Sequence, residues 1–121
     1  MSIRVAWRRR TAVLIGGGLG TGARFGVSLI ISSAVLGTFI VNILGAGVLG
    51  YVLARLRLAG RSRSVTVPLL GVGFLGAFTT FSGLAVQLVE GPPLQSLTYG
   101  VASLAAGILA TVVGLTLGRQ G

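Results

Sequence analysis

Apolar residues fall along this chain in four long blocks, without the strict alternation of a half-buried strand or the single stripe of a surface helix. A helix needs about 20 mostly apolar residues to cross the hydrocarbon layer of a bilayer. Blocks at about 11–33, 37–54, 67–89 and 96–118 meet that length. The pattern predicts an all-α membrane protein, one domain over 1–121, with four transmembrane helices. The first two are joined by a short link around 34–36. A basic loop at 56–64 joins the second and third. Glu90-Gly91-Pro92-Pro93 is a turn, because two successive prolines cannot continue a helix.

Polar residues inside the blocks then stand out. Arg24 lies within the first, where a charge is costly and marks either function or a snorkelling anchor. Asn42 lies within the second; its amide needs partners, and either glues two helices or donates to an anion. The third block holds the densest cluster, Gly71-Val72-Gly73-Phe74-Leu75-Gly76-Ala77-Phe78-Thr79-Thr80-Phe81-Ser82-Gly83-Leu84. Glycine weakens a helix by about 1 kcal/mol relative to alanine, and hydroxyls capture freed backbone groups. The expectation is a helix broken near the bilayer midplane, able to offer carbonyls to a cation and N–H groups to an anion. Tyr99 and Ser103 are four residues apart on the fourth helix, so they share a face, with Gly107 one turn further. That face is either a hydrated track or two satisfied hydroxyls between helices. Gly16, Gly18 and Gly22 are each followed by glycine four positions on, as is Gly114, a spacing that lets helix backbones meet in lipid.

Composition narrows the chemistry. Of 121 residues, 53% are apolar and only eleven are charged, so water is the wrong solvent for most of the surface. There is no cysteine and no histidine, and Glu90 is the single acid. Disulfides, thiolate metal sites, carboxylate pairs and a histidine base are all excluded, and with them most enzymatic catalysis. The net charge of +9 is not a nucleic-acid signature here, because the arginines cap apolar runs, where they meet lipid head groups. No signal-peptide cleavage pattern follows the basic start, and the first apolar block is long enough to stay as a helix. Arg4, Arg8, Arg9 and Arg10 precede the first span, Arg55, Arg57, Arg61 and Arg63 separate the second and third, and Arg119 follows the fourth. Four spans place all nine on one side and leave no arginine or lysine on the other. The positive-inside rule then predicts that both termini are cytoplasmic.

Three blocks of residues resemble the CrcB/Fluc family of fluoride channels. Gly16-Gly17, Gly20 and Arg24-Phe25 resemble its GGxxGAxxRY, with Thr21 for alanine and Phe25 for tyrosine. Gly37-Thr38, Val41-Asn42, Gly45 and Gly50 resemble GTxxVNxxGSxxxG, with Ala46 for serine. Gly73-Phe74, Gly76 and Thr79-Thr80-Phe81-Ser82 resemble GFxGGxTTFSxF, with Ala77 for the second glycine. The resemblance implies a multi-pass protein of the bacterial plasma membrane that exports cytoplasmic fluoride passively and gives fluoride resistance. It implies an antiparallel dimer with a structural sodium ion at its centre, held by the backbone carbonyls of Gly76 and Thr79. The fluoride pathway it implies involves Asn42, Phe81, Thr80, Ser82 and the Tyr99–Ser103 face, with Arg24 in a vestibule or as an anchor.

One position departs from the family pattern. A second phenylalanine is expected three residues after Phe81, where this chain has Leu84, and leucine offers no ring edge to an anion. The arginine asymmetry points the same way, since an antiparallel homodimer requires one sequence to insert in both orientations. The expectation is a heterodimer with a homologue of opposite charge bias; the alternative is a homodimer that tolerates leucine at this position. Two rival functions follow. A partner subunit that conducts nothing itself would tolerate Leu84. A small multidrug antiporter needs a carboxylate in its first helix, and this chain has none there.

Overall fold

The computed structural model describes residues 2–58 and 66–120. Four helical spans long and apolar enough to cross a membrane occur among them. Helix α1 (Ile3–Ile30) starts at Ser2, whose hydroxyl accepts the Val5 N–H at 3.4 Å. It begins well before residue 11 because arginine is a good helix former and nothing in between breaks the helix. Its 28 residues rise about 42 Å, more than the roughly 30 Å hydrocarbon layer, so the first turns extend past the apolar zone. Ser33 caps α2 (Ala34–Leu58) by accepting the Leu36 N–H at 3.2 Å. The link is therefore 31–33, not 34–36. Helix α2 also runs past 54 through Arg55, taking in the start of the basic stretch. Arg61 and Arg63 lie outside the described residues.

The third span is wound in three parts. Val67–Leu75 is π-helical, α3 (Gly76–Phe78) is a single α-helical turn, and α4 (Phe81–Glu90) completes it. The Gly76 N–H is shared between the carbonyls of Gly71 and Gly73, where the wide winding gives way to the narrower. Between α3 and α4, Thr79 (φ −76°, ψ 157°) and Thr80 (φ −143°, ψ 119°) are extended. Helix α5 (Pro93–Gln120) opens on Pro93 rather than near 96, since the first helical position needs no N–H donor. The prolines thus end one helix and start the next.

Two glycine seams hold the subunit together. Along α1 and the third span, a Cβ on Gly16 would run into the Leu69 carbonyl oxygen, and one on Gly20 into that of Phe74. From the other side, a Cβ on Gly73 would sit 2.8 Å from the Val13 oxygen. Along α2 and α5, a Cβ on Gly114 would strike the Gly47 oxygen, and one on Gly50 would lie 2.6 Å from that of Thr111. Backbones this close gain dispersion contact that lipid tails cannot match. The glycine spacing in the sequence therefore has two outcomes. Gly16, Gly20, Gly114 and Gly118 pack within the chain, whereas a Cβ on Gly18, Gly22 or Gly26 would meet nothing within 4 Å among the described residues. Among the described residues only Ala12, Val41, Ala54 and Leu75 form a buried apolar core. The most apolar stretch of each span is only 11–17% buried, so most of its surface must face lipid or another chain.

Candidate functional site

The site is built where the third span unwinds. Asn42 on α2 faces Thr80 and takes both of its backbone groups. The Thr80 N–H donates to Asn42 Oδ1 at 2.7 Å, and Asn42 Nδ2 donates to the Thr80 carbonyl at 3.0 Å. A side-chain amide is the neutral group that can accept and donate in this pairwise way. One consequence follows from helix geometry. In an uninterrupted helix the Thr80 N–H would bond the Gly76 carbonyl four residues back; here Asn42 has it instead. Thr79 folds back on α3, its N–H and hydroxyl both donating to the Leu75 carbonyl at 3.0 Å. Gly45 on α2 is bare opposite Thr79, and a Cβ there would collide with the Thr79 methyl.

Thr80 also starts α4. Its hydroxyl accepts the Gly83 N–H at 3.1 Å and shares a 3.2 Å hydrogen bond with Ser82. A cavity of about 600 Å³ opens beside these hydroxyls, between α1, α2 and α4. Thr80, Ser82, Thr38, Gln87, Arg24 and Glu90 are among its polar lining residues. Arg24 is half-buried there, whereas Glu90, the one acidic side chain, is exposed at the cavity's edge. Phe81, between the two hydroxyl residues, turns away and is 80% exposed.

The other sequence-derived candidates are placed differently. The Tyr99 hydroxyl lies 2.9 Å from Gln87 Oε1 and 3.1 Å from the Val35 carbonyl, and its single proton is shared between them. Its ring tilts against Phe39, centroids 6.2 Å apart. Ser103 Oγ is buried with no hydrogen-bond partner among the described residues. Neither Ser103 nor half-buried Leu84 lines the cavity. The structure therefore brings together Asn42, Thr80, Ser82 and Arg24, and leaves Phe81, Leu84 and Ser103 apart from them. Gly76 opens α3, and Thr79 follows its last residue in the unwound segment.

Gln87 was missed by sequence reasoning. Its amide nitrogen donates to the Ala34 carbonyl and the Thr38 hydroxyl, both at 3.0 Å, while its oxygen accepts from Tyr99. It thus ties α4 to the start of α2 and to α5. The signal was present: an amide within the apolar run Leu84-Ala85-Val86-Gln87-Leu88-Val89, two turns after Thr80 and on its face. Gln87→Leu is expected to destabilise the subunit by about 1–2 kcal/mol, at about 0.6 kcal/mol per hydrogen bond lost in a membrane. Thermal denaturation in detergent measures this, and an unchanged midpoint would show that the cluster holds nothing.

Four apolar spans with amide, hydroxyl and backbone groups gathered at an unwound segment define a small multi-pass membrane protein with a polar break inside one span. The chain belongs to the family described as CrcB-like protein, Camphor Resistance (CrcB), whose model matches residues 11–115. It is 40% identical to the fluoride-specific ion channel FluC 1 of Methanospirillum hungatei, over 88% of this chain and 72% of that one. It is 37% identical to FluC 2 of Bacillus subtilis, over 91% and 87% of the two chains. With FluC of Paracoccus denitrificans it shares 36% identity over 88% and 91%.

Proposed function

We propose that this chain is a subunit of a passive fluoride channel that lets cytoplasmic fluoride leave the cell. Family membership supports the transported ion. The observation that carries the site is the Asn42–Thr80 clamp, which fixes an open stretch of backbone and hydroxyls within an apolar span. Fluoride is small and holds its water tightly, so it crosses only where donors replace that water. Thr80 and Ser82 offer hydroxyls beside the cavity; Ser103 would add one from α5, and Tyr99 only by giving up its bond to Gln87 or Val35. Asn42 carries a second N–H beyond the one given to Thr80. The Phe81 ring edge carries the positive part of its quadrupole. Neutral donors release an anion as readily as they accept it, which conduction requires. The cavity beside Arg24 serves as the vestibule.

In this reading the interrupted third span lies near the bilayer midplane, and the working unit is an antiparallel dimer with both of this chain's termini cytoplasmic. The exposed Phe81 ring and the uncovered Gly18, Gly22 and Gly26 offer surface for a second subunit. A structural sodium fits the carbonyls of Gly76 and Thr79: the helical donor of Gly76 is given to Asn42, and Thr79 lies outside any helix. Bound there, sodium would supply charge to hold two such segments together. The arginine asymmetry and Leu84 favour a homologous partner of opposite bias that brings its own aromatic pair.

Fluoride efflux from liposomes tests this, with the chain purified alone and then with a homologue of opposite charge bias. Flux from the pair and none from the single chain is expected. Full flux from the chain alone would show that it inserts both ways and that Leu84 suffices. No flux from either would overturn the channel reading. If Phe81→Ala in this chain left the pair's flux unchanged, this subunit would line no pore and would serve only to assemble its partner.

A further inference from the structure

The one arginine inside an apolar block and the one acid of the chain line the same cavity. Arg24 of α1 and Glu90 of α4 both border the space of about 600 Å³ beside Thr80 and Ser82. The other nine arginines flank the opposite ends of the apolar blocks. The two charges sit at different depths. Glu90 is the last residue of α4 and is exposed, at the end of the bundle where α1 also stops. Arg24 is half-buried, about 9 Å of helix before Ile30. Thr80 and Ser82 lie deeper, at the other end of α4. An anion leaving those hydroxyls therefore meets the guanidinium first and the carboxylate last. Glu90 is also poorly placed to stabilise its own helix. A carboxylate in the last turn faces the negative end of the helix dipole, where a cation is the favourable charge.

We propose that Glu90 offsets the charge of Arg24, so that the mouth of this cavity passes anions without holding them. A guanidinium on a half-buried wall attracts an anion and also retains it, and conduction needs release as much as entry. A unit negative charge about 10 Å away in water weakens that retention about twofold, and about fourfold where the surroundings halve the dielectric. For its effect on fluoride the inference rests on the channel reading. The opposition of the two charges is measured without any flux.

The chain has no cysteine, so Ser28→Cys places a single thiol in the cavity, one turn beyond Arg24 on the same face of α1. The protein, assembled with a cysteine-free partner subunit, is treated with an anionic and with a cationic methanethiosulfonate of similar size, and the ratio of the two rates is taken. Glu90→Gln is expected to raise the anionic-to-cationic ratio about 4- to 16-fold, the square of the effect on one unit charge. Arg24→Gln should lower the ratio, and Glu90→Asp should keep the parent value. Salt at 1 M, with a Debye length of about 3 Å, should remove most of these differences. An unchanged ratio in Glu90→Gln would overturn the proposal. So would an equal rise in Glu90→Asp, which would mean that the side chain's shape and not its charge matters. Fluoride efflux separates this inference from the channel reading. In a parent that conducts, Glu90→Gln should lower the half-saturating fluoride concentration about two- to fourfold, and an unchanged concentration would overturn the release role. A parent that conducts nothing while the thiol ratio still rises would overturn the channel reading and support the opposition of Glu90 to Arg24.

Discussion

Asn42→Leu is expected to abolish fluoride flux from the assembled channel and to lower its melting temperature. Leucine matches asparagine in size but presents nothing to the Thr80 N–H and carbonyl, which Asn42 holds at 2.7 and 3.0 Å. Each backbone group left unpaired away from water costs about 1–3 kcal/mol. The chain has one cheap escape, which is to rewind. The Thr80 N–H can return to the Gly76 carbonyl and draw Thr79 and Thr80 into a continuous helix. That would remove the open segment and withdraw one carbonyl from the proposed cation site. Two measurements separate rewinding from general unfolding. Fluoride efflux from liposomes should vanish. The melting temperature, which should fall in the parent protein when sodium is replaced by a larger cation, should no longer respond. Retained flux with a retained sodium response would show that Asn42 is not what opens the third span.

Gly114→Ala should split the α2–α5 seam, whereas the chemically identical change Gly107→Ala should not. A Cβ on Gly114 meets the Gly47 carbonyl oxygen, a backbone atom in the middle of α2 that has no rotamer to change, and the Tyr51 N at 3.0 Å. The helices must move apart along a contact that also includes Gly50 and Gly118, at an expected cost near the upper end of about 1–3 kcal/mol. Gly107 lies two turns earlier on the same helix, where an added Cβ would meet nothing within 4 Å among the described residues. There the added methyl removes only the helix penalty of glycine, a gain of up to about 1 kcal/mol. Opposite signs for one substitution at two positions on one helix are difficult to obtain from anything except packing. Thermal denaturation of the two variants in one detergent decides it. Equal shifts would mean that α2 and α5 are not held through this seam.

The two experiments show where the sequence was readable. The four spans were legible because burial in lipid demands runs of apolar residues, whatever packs against them. The motif residues Asn42, Thr80 and Ser82 were legible because polar groups are rare within such runs. Gln87 was as visible by that rule. It passed unread because nothing in one sequence says that the start of α2 and Tyr99 converge on it. The π-helical winding of Val67–Leu75 has no periodicity that distinguishes it from an α-helix in a uniformly apolar, glycine-rich stretch. The helix ends were displaced because capping by Ser2 and Ser33 and the helix-compatible Pro93, rather than the edges of hydropathy, set where the backbone turns.

By itself, the sequence determined the solvent, the number of spans, the lack of residues for most catalysis and the polar groups that had to find partners within the spans. These depend on composition and on the cost of polar groups in hydrocarbon, both of which are local. Only the tertiary structure decided which glycines pack and which stay open, since identical spacing at Gly16–Gly20 and Gly18–Gly22 points to different sides of one helix. It alone decided that Asn42 holds Thr80, because that pairing joins residues 38 positions apart. A backbone hydrogen bond is redirected only when a competing acceptor arrives from another helix, and the chain must fold before that acceptor is in place.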